Sequence, residues 1–312
     1  MNILVINHSV ENCGVYQYGK RVGHILKKSK KYKFIYLEQN SQEELDQNIE
    51  IYKPKIIIYN YLGGTMPWVN PYTVANIRSK NIKQFLIVHN GGYAQFFDYY
   101  LHQDPYYNSS DNINFALMRP LFDYKPKTAK HNTNIIKIGS FGFGLRCKYI
   151  HDICNIVKQQ MSNKNVEINL HLTNAHFSNG NDIDGIKTDC LNILSGTNIK
   201  LNVTTDFLSD KQILDFLYNN NLNIFFYEKY NFYNGISSTI DYALSVKKPL
   251  AICQSNMFSH IWDVTPSICV ENNSLENIIN NKFTPLLEKA TSWNNKNFIT
   301  HMESIIEKVL NV

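Results

Sequence analysis

Short apolar runs alternate with amphipathic stretches along most of the chain. Residues 3–7 read as a buried strand, followed by a polar loop holding Gly14 and a helix over 15–26. Residues 33–37 form a second strand pattern and 42–52 a helix. The segments KIIIY (55–59) and QFLIVH (84–89) are two further strands, on either side of a helix over 72–79. Continuous β-branched runs of this kind suit parallel strands covered on both faces. Their alternation with helices predicts a doubly wound α/β sheet.

The rhythm fades in a Tyr-rich piece over 91–124 and in the polar stretch KPKTAKHNTN (125–134), which has no apolar period and is expected to be a linker. It then resumes, with strands at 135–139, 166–172, 200–203, 224–227 and 249–253. Helices are expected at 147–161, 210–219, 237–246 and 275–280, with a loop between the strands at 166–172 and 200–203. Residues 1–124 and 135–290 are therefore expected to form two Rossmann-like domains facing across a cleft, where strand carboxyl ends offer a ligand site. The last stretch, 291–312, carries the apolar stripe Phe298, Met302, Ile305, Ile306 and Val309 of an amphipathic helix.

Composition narrows the function. The chain has 312 residues, 44% hydrophobic and 18% charged, with a net charge of +5. That suits folded domains and lacks the strong basic bias of a dedicated nucleic-acid binder. The densest cation cluster, Lys27, Lys28, Lys30, Lys31 and Lys33, follows the first helix and complements its negative end. The same cluster would also suit a peripheral contact with an anionic membrane surface. The six cysteines form no CxxC pair, and no apolar stretch reaches the length of a membrane span. The expected location is cytoplasmic, including the inner membrane face.

Two segments carry phosphate-binding chemistry. In NGISSTIDYAL (234–244), Gly235 permits a sharp turn, and Ser237, Ser238 and Thr239 stand where a helix begins. Free N–H groups, hydroxyls and the helix dipole together favour an anion there, though Ser and Thr are also ordinary caps. In GSFGFGLRCK (139–148), glycines follow a strand, with Arg146 and Lys148 just behind. The order GxxGxG differs from the dinucleotide fingerprint GxGxxG, which argues against a nicotinamide enzyme. Asp182-Ile183-Asp184 has the spacing of a metal-binding Asp-x-Asp but lies in the polar run SNGNDIDG, which reads as a solvated loop.

These two segments resemble the donor-binding domain of GT-B glycosyltransferases, above all the large retaining bacterial hexosyltransferase family. The resemblance implies that Gly139, Gly142, Arg146 and Lys148, with Ser237, Ser238 and Thr239, grip the donor diphosphate. It also implies that Arg146→Ala weakens donor binding. Aligned on Pro249, two glutamates of the family fall on Asn234 and Tyr242, and Asp241 or Glu228 is the candidate for part of their work at the ribose. His89, at a strand end before Asn90-Gly91-Gly92, resembles the residue that meets the donor sugar. The loop after the first strand, with His8, Gly14 and Tyr16, resembles the acceptor-side loop. Glu11, His8 or Asp98 would be the general base if the reaction inverts.

The resemblance further implies a C-terminal helix crossing back to the first domain, a nucleotide-sugar donor such as a UDP-sugar, and donor binding without a metal. A hexosyltransferase is the leading expectation, with an unknown glycan, lipid or other acceptor. A sugar-nucleotide epimerase of the same plan and a non-catalytic GT-B binding protein are the alternatives.

Overall fold

A computed structural model describes residues 1–90, 93–126, 134–176, 180–229 and 235–311. The chain divides into two compact units, one of residues 1–120, 232–236 and 293–312, the other of residues 121–231 and 237–292.

The first unit opens with β1 (Asn2–Asn7), α1 (Gly14–Leu26), β2 (Lys33–Glu38), α2 (Gln42–Tyr52), β3 (Ile56–Tyr59), α3 (Pro71–Ser79) and β4 (Lys83–Val88). The Tyr-rich piece expected to be irregular supplies two more strands, β5 (Tyr99–His102) and β6 (Asn114–Ala116). They were hidden because their few residues mix aromatic and polar side chains and leave no continuous apolar run. All six strands are parallel, in the order β2-β1-β3-β4-β5-β6.

Side chains alternate across that sheet. Ile3 and Val5 join Tyr18, Val22 and Ile25 of α1 on one face, while Leu4 and Ile6 join Leu45 and Ile49 of α2 and Val74 and Ile77 of α3 on the other. Helix starts follow local chemistry. Ser41 accepts from the Glu44 amide to cap α2, and Asn70 caps α3 ahead of Pro71, whose missing N–H costs nothing at the first helical position.

The second unit contains β7 (Ile136–Phe143), α4 (Ile150–Met161), β8 (Val166–Thr173), α5 (Ile183–Leu194), β9 (Lys200–Thr204), α6 (Asp210–Tyr218), β10 (Leu222–Phe225), α7 (Thr239–Val246), β11 (Leu250–Ile252), α8 (Leu275–Asn281) and α9 (Leu287–Ser292). Helix α5 replaces the loop expected between 172 and 200. Asp182 starts it as the N-cap, accepting from the Gly185 amide, so the Asp-x-Asp stretch is a helix entrance. The five parallel strands run β11-β10-β7-β8-β9. Ile138, Ile168, Val157, Ile186 and Leu275 share the core on one face of this sheet.

Chain order therefore reverses direction between β7 and β10 in this sheet, and between β1 and β3 in the first. Phe122 and Tyr124 already belong to the second unit: the Phe122 amide donates to Ser245 Oγ at 2.8 Å and the Tyr124 hydroxyl to Asp215 at 2.7 Å. Most of the expected linker, 127–133, lies outside the described residues. After α9, helix α10 (Asn295–Leu310) belongs to the first unit, placing Phe298, Met302, Ile305, Ile306 and Val309 in the core with Ile3 and Val5. No helix among the described residues is long and apolar enough to cross a membrane.

Candidate functional site

A ligand crevice in an open α/β sheet forms at the carboxyl ends of two neighbouring strands whose connections leave in opposite directions. The first unit fills that position. Asn7 and Asn60, at the ends of β1 and β3, are bonded to each other, Asn60 Nδ2 donating to Asn7 Oδ1 at 2.7 Å and to the Val15 carbonyl at 2.8 Å. Gly19 makes this possible, because a Cβ there would lie 2.2 Å from Asn60 Nδ2.

Among the described residues, the second unit leaves a narrow gap at that position. β7 and β10 pair only over Ile138–Leu222 and Gly139–Asn223 and then part. A narrow cavity of about 10 Å³ lies there, lined by Ser140, Phe141, Lys148, Tyr227, Ser237 and Thr239 among others. Its one cation among the described residues is Lys148. The Lys148 amine lies 5.6 Å from the centre of the Tyr227 ring and 5.9 Å from that of Phe143. Among the described residues it makes no ion pair. Burial pushes its pKa down to about 8.

Gly142 is shaped for this lysine. Its φ of +151° is a conformation side chains rarely adopt, and a Cβ would lie 2.8 Å from Lys148 Nζ. Across the cavity, Ser237 Oγ and Thr239 Oγ1 are 2.8 Å apart. Helix α7 begins there with no side-chain cap at Ser238, the Asp241 amide donating instead to the Ser238 carbonyl at 3.2 Å. A half-buried cation, two hydroxyls and a helix start without a side-chain cap together suit a phosphate group.

Other residues singled out in the sequence lie elsewhere in this unit. Gly139 is inside β7, where a Cβ would lie 1.9 Å from Asn220 Nδ2, so its lack of a side chain serves packing. Arg146 is half-exposed and engaged by the carboxylates of Asp182, at 2.6 Å, and Asp189. It is outside the cavity lining and braces the turn carrying Lys148 against α5. The expectation for Arg146→Ala changes accordingly. Exposed pairs contribute little, about 1 kcal/mol or less, so the variant should keep nucleotide affinity within a few-fold of the parent by calorimetry. A hundredfold loss would return Arg146 to the site.

Asp241 is completely buried in the first turn of α7, its carbonyl accepting from Ser245 Oγ. The Tyr242 hydroxyl donates to Asp210 at 2.5 Å, its ring packed between Phe122 and Phe141. The Glu228 amide donates to the Cys147 carbonyl at 3.0 Å, fixing the segment beside the cavity. Asn234 lies outside the described residues, as do Gly91 and Gly92. The cavity rings of Phe225, Phe226 and Phe258 had no sequence signal, because β10 reads only as a strand and Phe258 as an isolated apolar residue.

In the first unit His89 is a half-buried hub. Its Nε2 donates to Asn60 Oδ1 at 2.7 Å and its Nδ1 accepts from Gln103 Nε2, whose own oxygen accepts from Arg119. Burial, helped by the Arg119 charge, holds its pKa down to about 3, so the ring is neutral. His8 is buried with Nδ1 accepting from the Val10 amide, and the Tyr16 hydroxyl donates to Glu38 at 2.8 Å. Gly14 is the first residue of α1, and the exposed Glu11 accepts at its carbonyl from Gln17.

Asp98 sits at the opposite, amino end of the sheet. One of its oxygens accepts from Arg78 and the other from the Gln84 amide. In the lysine cluster, Lys31 pairs with Glu307 of α10 and Lys27 lies over the Tyr36 ring. Among the described residues, no group of three or more His, Cys, Asp or Glu side chains is placed to hold a metal ion.

No family model and no curated protein sequence matches the chain. Solved structures do. The chain is similar to Anabaena HepE in complex with UDP, at 12% identity over all of both chains with a TM-score of 0.59. It is also similar to the lipopolysaccharide outer core galactosyltransferase WaaB, at 11% identity over 98% of this chain and 99% of the other, TM-score 0.57. A third is the UDP-forming trehalose-phosphate synthase of Burkholderia xenovorans in complex with glucose-6-phosphate, at 8% identity over 99% and 100%, TM-score 0.61. At such identities the likeness speaks for the fold alone, and that fold is the GT-B architecture: two Rossmann-like α/β units with parallel sheets and a C-terminal helix.

Proposed function

We propose that the protein is a glycosyltransferase that takes a sugar from a nucleoside-diphosphate donor, its diphosphate held at the parting of β7 and β10. The observation that carries this reading is the half-buried Lys148 amine, without a carboxylate partner among the described residues, at the sheet reversal of the second unit. A cation desolvated in this way is stabilised when an anion arrives. Transfer of the sugar leaves an additional negative charge on the departing diphosphate, and Lys148 with the Ser237 and Thr239 hydroxyls would stabilise it without reorganising. UDP is the first nucleotide to try, since it accompanies HepE and is the product named for the trehalose-phosphate synthase.

The test is thermal stabilisation of the purified protein by UDP, GDP, ADP and their sugars. A ligand at 100 times its dissociation constant adds about 2.7 kcal/mol to stability, readily seen as a raised melting temperature. A selective response to one base supports the donor site. A folded protein that responds to none of them overturns the proposal. With a responding donor, conversion of its sugar in the absence of any acceptor would indicate an epimerase instead.

A further inference from the structure

Lysines gather at the amino end of the first sheet. The segments 27–33, 53–55 and 80–83, which lead into β2, β3 and β4, together hold nine lysines and no acid. Strand pairing sets them in a row. The Lys33 amide donates to the Met1 carbonyl at 3.0 Å, that of Lys55 to the Asn2 carbonyl at 3.2 Å, and that of Lys83 to the Lys55 carbonyl at 3.1 Å. The starts of β2, β1, β3 and β4 therefore lie side by side along one rim, neighbouring strands being about 4.8 Å apart. The acids near this rim fall short of neutralising it. Glu303 accepts from Ser29, Glu307 pairs with Lys31, Asp46 with Lys80 and Asp98 with Arg78, while Glu50 is exposed near the end of α2. Lys28, Lys30, Lys33, Lys53 and Lys55 are exposed and make no ion pair among the described residues.

Apolar side chains stand exposed among these cations. Met1 is 42% exposed, Ile51 69% and Leu310 39%. Met1 precedes β1, between the strand starts that carry Lys33 and Lys55. Ile51 lies in the last turn of α2, where the Tyr52 carbonyl accepts from Asn2 Nδ2 at 2.6 Å. Leu310 ends α10 beside Val309, whose carbonyl accepts from Lys83 Nζ at 2.6 Å. A rim that mixes unpaired amines with exposed apolar side chains matches an anionic bilayer surface, whose headgroups attract the amines and whose acyl boundary takes the apolar groups. A nucleic-acid backbone would use the cations and leave Ile51 in water.

We infer that the amino-end rim of the first sheet docks the protein on an anionic lipid bilayer, with its lysines at the headgroups and Met1, Ile51 and Leu310 at the acyl boundary. The inference goes beyond the glycosyltransferase reading and does not depend on it. It assigns the first unit a surface of its own, built from residues that take no part in the donor cavity.

The experiment is co-sedimentation of the full chain with vesicles of phosphatidylcholine alone and of an equal mixture with phosphatidylglycerol. The chain should pellet with the mixed vesicles and stay in solution with the neutral ones. Salt at about 1 M, which cuts the screening length to about 3 Å, should release most of it. A lysine near an anionic surface strengthens binding about fivefold, so Lys30→Glu combined with Lys55→Glu should weaken it at least about twentyfold. Ile51→Ser should weaken vesicle binding about tenfold and leave retention on heparin, a polyanion without an apolar layer, unchanged. All three side chains are exposed, and an unchanged melting temperature checks the fold; Lys28→Glu with Lys53→Glu repeats the charge test at separate positions. Equal binding to both kinds of vesicle overturns the inference, as does binding to neither or mixed-vesicle binding that no variant changes. Retention on heparin or duplex DNA by a protein that ignores the mixed vesicles also overturns it, and makes the rim a polyanion site. The nucleotide-induced melting shift is measured separately, so failure of either reading leaves the other standing.

Discussion

Lys148→Met should lower affinity for nucleoside diphosphate by about two orders of magnitude while leaving the fold at least as stable as the parent. Removing one partner of a buried charge pair typically costs about 2–5 kcal/mol in binding, and 2.7 kcal/mol is roughly a hundredfold. Stability moves the other way because the unliganded protein holds a desolvated cation without a carboxylate, and an apolar side chain of similar length removes that burden. The pH dependence carries a sign check. The amine titrates near 8 in the folded chain against an ordinary 10.5. Between these values the unfolded chain binds more protons, so the parent gains stability as pH rises through that window. Subtracting the melting curve of the Met variant isolates this contribution. Nucleotide affinity has the opposite slope, weakening above pH 8 as the amine discharges, and titration calorimetry at pH 7 and 9 reads it. A Met variant that binds nucleotide as the parent does would remove Lys148 from the site.

His89→Ala should destabilise the first unit, by about 2–4 kcal/mol if both ring contacts are lost. The ring links Asn60 to Gln103, and through them the ends of β1 and β3 to Arg119. Its removal takes one hydrogen-bond partner each from Asn60 Oδ1 and Gln103 Nε2. The histidine also sets a response to acid. The folded ring stays neutral until about pH 3, whereas an unfolded histidine takes its proton near 6.5. The contribution is therefore fully present above pH 6.5 and is lost progressively as pH falls towards 3. Denaturant melts at pH 7.5 and 4.5 should show a larger loss for the parent than for the Ala variant. Equal losses would mean that the ring ionises as freely in the folded chain as in the unfolded one. By the same argument, His89 should contribute no limb to an activity profile between pH 5 and 8.

Strands such as 55–59 were legible because four successive buried residues of β3 leave a continuous apolar signature. β5 and β6 were not, since each is short, the Leu101 of β5 is buried only between Tyr100 and His102, and β6 (Asn114–Ala116) buries no residue fully. Helix α5 was lost behind Asn181 and Asp182, whose polarity reads as loop although Asp182 is the cap. At the site, sequence placed Arg146 and Lys148 together behind the glycines, and there its resolution ended. Arg146 meets carboxylates 36 and 43 positions away, while two residues on Lys148 enters an aromatic cavity. A cation's role depends on which carboxylates the fold brings near it, and spacing along the chain does not encode that. His89 carried a similar ambiguity: its place at a strand end was readable, but its two amide partners were not.

The placement of α10 has a consequence for how the chain is assembled during synthesis. The second unit draws its buried residues from within 121–292, whereas the core of the first joins Ile3 to Val309. The unit translated first must therefore wait, with one face of its sheet lacking part of its cover, until the whole of the other has emerged. Its sheet can pair early, but its final burial is a long-range closure, and such closures form slowly. The nascent first unit is thus the species most in need of a chaperone, and the second can serve as the folded ballast that accompanies the last helix home.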